Sequence, residues 1–510
     1  MILRKEPGKF VLALVSFFFL FHLVLAAKAG LVADEAYYWI WSLHPRMSYF
    51  DHPPGIAWTI AAFTHLFGTN RLGIRMPALL ISAAISFLLY KMGKEFLKDR
   101  WAGAWAVLFV TASLLFSAGA FIITPDSLVI LFFALTLWQF YHALETGSGR
   151  SMMLSGLWFG LGLLSKYTMV LLGPLLLLFL LASPARRRWL ARPSLWGAGI
   201  LALILFTPVV LWNSEHDWAS FRFQWHHGME AHQYAPLSGL LDYLGGQFGV
   251  MTPLVYLILI AAAFWGLRES RRNPAGPVFY FWITSYPILL FFAYSSLKAK
   301  VEANWPVEGY IGAFLVAGAM VSSWSFRPAL RRLAGAGVAL GILANLAVGV
   351  QIFWPVIPID PNVDPTGRMA GFGTEDRMIR SLADSLPPSR RPVAWVVDGY
   401  SNTSLLKFLE YGRTPVYQVR PKRPFRTTVL PERVAKKLVG HPVLLVQNGP
   451  HGGFVHEIGG VLGQTIYLGT VLVPRRGASD QSPVIKSDVY LIPSFVDGLS
   501  KLPPPFLKVF

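Results

Sequence analysis

The sequence predicts a polytopic α-helical membrane protein with a small α/β domain at its C-terminal end, and three observations lead there. Hydrophobic residues make up 54% of the 510 positions and charged residues only 14%, with a mean hydropathy of +0.48; that is too apolar for an ordinary water-soluble chain. Apolar runs close to the ~20 residues that cross a bilayer recur up to about residue 354. Beyond Pro355 the pattern changes to short Val/Ile/Tyr runs between Pro-, Gly- and Arg-rich turns, as in a soluble fold. The expected domains are therefore 1–354, membrane-embedded, and 355–510, soluble.

The elements follow in order. Arg4, Lys5 and Lys9 precede the first apolar run and AAKA follows it. Those flanks suit a signal peptide, but the apolar core exceeds the usual length and further spans follow, so a retained first helix is expected. Spans are expected near 10–28, 72–90, 101–120, 127–144, 152–165, 168–182, 195–213, 248–267, 277–296, 306–324 and 333–354, about eleven in all. Basic clusters at Lys91/Lys94/Lys98/Arg100, Arg150, Arg186/Arg187/Arg188/Arg192, Arg268/Arg271/Arg272 and Arg327/Arg331/Arg332 fall on one side if Met152 to Ala182 crosses twice, with a turn near Ser165 to Thr168. That side is the cytoplasm. The opposite face then receives Gly30 to Arg71, the Thr124-Pro125-Asp126 turn, the turn SKYT, the loops Asn213 to Gly246 and Lys298 to Trp305, and the tail. In the tail, PVAWVVDG, TPVYQV, HPVLLVQ, QTIYLGTVLVP and DVYLIPS read as strands, and Ser401 to Tyr411 as a helix.

Charge and cysteine content exclude several classes. The net charge of +18 sits in short clusters between apolar runs, the habit of positive inner loops, so membrane lipid and not nucleic acid is the expected contact. The absence of cysteine excludes disulfides, thiolate catalysis and Cys-based metal sites.

The candidate chemistry gathers on the face opposite the basic loops. In ADEAYYWIWSLHPRMSYFDHPP, Tyr37, Tyr38, Trp39, Trp41, Tyr49 and Phe50 suit the headgroup region, so an interfacial helix is expected there. It holds Asp34, Glu35 and Asp51 at the water boundary, where a carboxylate can act as general base on an arriving hydroxyl. Asp34 as a helix cap with Glu35 in the first turn is the structural alternative. It leaves Asp51, before His52-Pro53-Pro54, without an account. Lys166 lies inside GLGLLSKYTMVLLG, where an unpaired ammonium costs a few kcal/mol unless it snorkels or meets an anion. Arg75, Lys298 and Lys300 are further cations on this side. Asp126 reads either as a helix-start residue or as part of a site. Glu302 and Asn304 suit sugar hydroxyls, and Trp305 suits interfacial anchoring. His216, Asp217, His226, His227, Glu230 and His232 invite a zinc reading, but a wet, mobile flap is the expectation.

Asp34-Glu35 followed by YYW, the later FDHPP, the TPD turn, GLGLLSKYT and KVEANW together resemble the GT-C glycosyltransferases of the protein mannosyltransferase and aminoarabinose transferase type. The closest likeness is to bacterial lipid A and core-oligosaccharide transferases, over roughly Arg4 to Trp354. The resemblance implies an active site on the outer face and a polyprenyl-phosphate sugar donor. It also implies a glycolipid or cell-envelope glycan as acceptor, with a protein acceptor as alternative. It implies an inverting transfer in a bacterial inner membrane, with site and tail on the periplasmic side. In that frame Asp34, with Glu35 and Asp51, is catalytic; Lys166, Lys298 and Arg75 hold the donor phosphate; Asp126, Glu302, Asn304 and His52 hold sugar or acceptor. A divalent cation is left open. The rival class is a lipid-linked sugar transporter or flippase, which would spread its ionisable residues near mid-membrane.

Overall fold

The structure, a computed structural model, describes residues 6–229, 235–323, 327–360, 363–419, 429–448, 461–474 and 483–498. In chain order its helices are α1 (Pro7–Lys28), α2 (Ala33–Ser42), α3 (Gly55–Phe67), α4 (Arg71–Glu95), α5 (Arg100–Ala112), α6 (Leu114–Gly119), α7 (Pro125–Thr146), α8 (Gly149–Leu163), α9 (Leu172–Ala182), α10 (Pro184–Arg187), α11 (Pro193–Glu215), α12 (Ala219–Met229), α13 (Pro236–Val250), α14 (Pro253–Arg272), α15 (Pro277–Ile283), α16 (Tyr286–Ser296), α17 (Gly309–Ser323), α18 (Pro328–Phe353), α19 (Phe372–Asp384), α20 (Tyr400–Leu409) and α21 (Glu432–Leu438). Strands are β1 (Ala394–Val397), β2 (Val416–Gln418), β3 (Val443–Asn448), β4 (Ile466–Pro474) and β5 (Pro483–Ile492). The chain divides into two compact units, Met1–Ala27 with Arg46–Leu346, and Lys28–Pro45 with Ala347–Phe510.

The first unit is a helical membrane bundle. Each of the eleven expected apolar segments contains helix among its described residues. Among the described residues seven helical segments are long and apolar enough to cross a bilayer, and an eighth is the pair Tyr167–Ala182 and Pro184–Ala191, bent by 115°. The remainder are short or broken. The 101–120 segment is α5 and α6, interrupted at Ser113, whose hydroxyl accepts the Phe116 N–H and opens the second helix. The 152–182 region is two pieces, as the charge pattern requires: α8 ends at Leu163, and a 3-10 turn, Tyr167–Leu171, leads into α9. Helix α3, in a stretch expected as an outer loop, is apolar but too short to span, and α13 runs from the expected loop into the start of the segment expected near 248–267.

Small residues set the closest helix approaches. Gly156 of α8 lies against the backbone of Ala198 in α11, where an added Cβ would stand 2.3 Å from the Ala198 carbonyl oxygen. Small side chains let membrane helices approach until their backbones pack directly.

The second unit carries a five-stranded sheet in the order β2-β1-β3-β5-β4. Strands β2, β1 and β3 run parallel, and β5 and β4 add antiparallel pairs. All five expected strands and the expected helix, α20, are present. The central strands are apolar on both faces: Trp395, Val397, Leu444 and Val446 pack with Ile379 of α19, and Ala394, Val396, Val443 and Leu445 with Ala435 of α21. Such near-continuous apolar runs belong to strands covered on both sides.

Helix α2 belongs to this unit, which corrects the expectation of an interfacial helix with its aromatics in the headgroups. Tyr37, Tyr38, Trp39 and Trp41 are buried. Trp39 meets Phe408 and Tyr411 edge-on, with ring centres 5.2 and 5.1 Å apart, and Tyr37 meets Tyr400 at 5.5 Å. The aromatics serve protein packing on α20, which periodicity alone does not distinguish from lipid contact. Gly30, just before α2, donates its N–H to the Met369 carbonyl at 3.1 Å, an approach that any side chain would obstruct.

Candidate active site

Within the bundle, the TPD turn, the SKYT turn and the segment before α17 converge on one buried cluster. Thr124 precedes α7, with Pro125 as its first residue and Asp126 in the first turn, where a carboxylate suits the positive helix end. Asp126 does more than open the helix. Its Oδ1 accepts from Lys166 Nζ at 2.5 Å and its Oδ2 from Asn304 Nδ2 at 2.5 Å. The side chains of Lys166 and Asp126 are 9% and 15% exposed, so the ammonium in the apolar SKYT stretch meets an anion and does not snorkel. Lys166 also donates to the Trp305 carbonyl at 3.4 Å. Burial works to lower the Lys166 pKa, but Asp126 and Glu308 outweigh it, and the ammonium is held above its ordinary value.

Glu308, in the turn before α17, is a member that the sequence reading misses. It is 1% exposed, and one carboxylate oxygen accepts from the Thr168 hydroxyl. Asn304, Trp305 and Glu308 thus place the KVEANW region against SKYT, while Glu302 pairs with Lys300 at 2.9 Å, the two side chains being 56% and 67% exposed. A lone acid beside an apolar run carries no local sign of a partner 140 residues away.

A second set of contacts ties the FDHPP loop to the same turn. Gly55 N–H donates to the Leu164 carbonyl at 2.8 Å, and Tyr167 shares a 2.7 Å hydrogen bond with Ser220 of α12. Gln224 Nε2 of α12 donates to the Asp51 carbonyl at 2.8 Å, and Phe50 packs on Phe223 with ring centres 4.9 Å apart. Asp51 is buried, and the His52 carbonyl accepts from Tyr49 N–H. The expected wet flap is, in its described part, a helix docked on FDHPP, because Phe223 gives it an apolar anchor. Glu230 and His232 lie outside the described residues. Among the described residues no three His, Asp or Glu side chains gather as a metal site.

Two further expected phosphate ligands lie on α4 and just after α16. Arg75 is fully buried, donates to the Ala26 carbonyl at 3.3 Å and lies 5.7 Å from the Phe121 ring centre. Lys298 stands 4.6 Å over the Tyr294 ring.

In the other unit, α2 separates its two acids. Glu35 is fully buried and its Oε2 accepts the Val32 N–H at 3.0 Å, closing the first turn. Asp34 is exposed, and its Oδ1 accepts from Tyr400 Oη at 3.4 Å. The capping falls to Glu35, not to Asp34.

A helical membrane bundle followed by a small mixed sheet domain gives this chain the GT-C membrane fold, as the match to a solved structure shows. ArnT from Cupriavidus metallidurans bound to undecaprenyl phosphate superposes with a TM-score of 0.66 over 96% of this chain and 99% of that one, at 15% identity; its apo state gives 0.64. Residues 51–212 match the family described as dolichyl-phosphate-mannose-protein mannosyltransferase. Lipid A galacturonosyltransferase RgtD of Rhizobium johnstonii is 29% identical over 290 residues, 56% of this chain and 59% of that one. The undecaprenyl phosphate-alpha-4-amino-4-deoxy-L-arabinose arabinosyl transferase of Pseudomonas aeruginosa is 29% identical over 41% of each chain. The match thus spans less than two thirds of either relative.

Proposed function

We propose that this protein transfers a monosaccharide from a polyprenyl-phosphate donor to a hydroxyl of lipid A, lipopolysaccharide core or another cell-envelope glycan. The reaction takes place at the periplasmic face of a bacterial inner membrane. The observation that carries the reading is the buried Lys166, fixed by Asp126 and the Trp305 carbonyl. A cation held in place before reaction, in a low-dielectric setting, suits the charge that develops on a departing lipid phosphate. Lipid A and undecaprenyl phosphate appear in the names of the relatives, which agrees with this chemistry.

In the proposed step the acceptor oxygen attacks the anomeric carbon from the face opposite the phosphate, with inversion. The bond from that carbon to the phosphate oxygen breaks, and the lipid monophosphate keeps the electron pair. Asp34, the exposed acid of α2, takes the acceptor proton; Glu35 is committed to the helix end. Lys166 neutralises the leaving phosphate, and Asn304 holds Asp126 in register. A protein hydroxyl is the second acceptor reading, favoured by the family description over residues 51–212.

The test is turnover by the purified chain on a panel of polyprenyl-phosphate sugars with lipid A, core and protein acceptors. Lys166→Ala is expected to lower turnover by about 100-fold or more, and Asp34→Asn by a similar factor. Wild-type levels in both variants would sink the assignment.

A further inference from the structure

Glu308 has no part in the reaction as written, yet its surroundings are unusual for a carboxylate. It is buried in the turn that opens α17; one oxygen accepts from Thr168, and the other, Oε2, is buried with no hydrogen-bond partner. The charged groups acting on it are Lys166, in the turn after α8, and Asp126, at the start of α7. Lys166 already neutralises Asp126. A second buried carboxylate would leave the cluster with one uncompensated negative charge, which costs several kcal/mol in a low-dielectric site.

We propose that Glu308 is a further binding residue of the donor site, a neutral carboxylic acid whose free oxygen donates its proton in a hydrogen bond to the phosphate that Lys166 holds. The inference rests on the reading of Lys166 given above. Its physical content is that a site receiving an anion beside two acids works only if one of them stays uncharged. As an acid, Glu308 supplies a donor where a carboxylate would supply repulsion.

The experiment measures binding of undecaprenyl phosphate to the full-length protein in detergent, for wild type, Lys166→Ala, Glu308→Gln and Glu308→Ala. Glutamine is a neutral donor of the same length, so Glu308→Gln is expected to keep wild-type affinity. Glu308→Ala should lose about tenfold or more. As pH rises, wild-type affinity should fall relative to Glu308→Gln, because ionisation removes the donor and adds a negative charge. That comparison stands even if Glu308→Ala fails to fold. Equal losses in Gln and Ala, or identical pH profiles for wild type and Gln, overturn the proposal and leave the Lys166 reading intact. Unchanged binding in Lys166→Ala overturns both.

Discussion

Asp34 and Glu35 are neighbours in the chain, but α2 gives them opposite environments. Glu35 is buried and satisfies the Val32 amide, whereas Asp34 is exposed beside the Tyr400 hydroxyl. Glu35→Ala is therefore expected to loosen the helix start by about 1 kcal/mol. Faster hydrogen exchange in residues 33–37 would report this, with a smaller loss of turnover than Asp34→Asn. Equal turnover losses would remove the distinction between the two acids. At this scale the sequence is readable where a charge offends its local setting. Lys166 in GLGLLSKYT announces a missing anion, and Asp126 and Asn304 stand in motifs singled out for other reasons. Glu308 makes no such announcement, since an acid next to a helix start is locally unremarkable. Arg75 shows the converse: its placement beside Ala26 and Phe121 depends on which helix faces which, and no local pattern carries that.

Helices are legible wherever a long apolar run does the work. The segments near 10–28, 72–90, 127–144 and 195–213 match α1, α4, α7 and α11, because bilayer thickness fixes their length. Short helices are less so. The role of α2 hinges on whether its aromatics meet lipid or α20, and both partners reward the same residues. Packing between elements is testable at Gly156, where a side chain would run into the Ala198 backbone, whereas Gly199 of α11 has open space around it. Gly156→Leu is expected to destabilise the bundle by about 2 kcal/mol or more, and Gly199→Leu to have little effect. Thermal unfolding in detergent measures the difference; equal midpoints would mean that α8 and α11 can separate without cost.

The composition break near Pro355 marks the soluble fold, since strands covered on both faces carry short Val/Ile/Leu runs that no bilayer span needs. Composition gives no hint that residues 28–45 group with that part; the link is made by aromatic contacts across hundreds of residues. This second unit should also sense pH. Glu375 is fully buried, with Ser487 donating to its Oε1 at 2.5 Å. Burial, with Asp376 adding to it, raises its pKa from 4.5 to about 7 despite the Ser487 bond. The folded state then holds a proton that the unfolded chain has lost. Stability should be full below about pH 4.5, fall by about 3 kcal/mol as pH rises to about 7, and level off above. Glu375→Gln should flatten that slope, as read by hydrogen exchange in α19 of the full-length protein, corrected for intrinsic rates. A wild-type slope retained in the variant would place the titration elsewhere.

The order in which the ribosome delivers the cluster also matters. Lys166 emerges 40 residues after Asp126, but Asn304 comes 178 residues after it. At about 5–20 residues per second, acid and amine enter the insertion machinery many seconds before their amide partner exists. A pair that close in the chain can neutralise itself before its amide partner is made, which lowers the cost of carrying an acid and an amine through hydrocarbon.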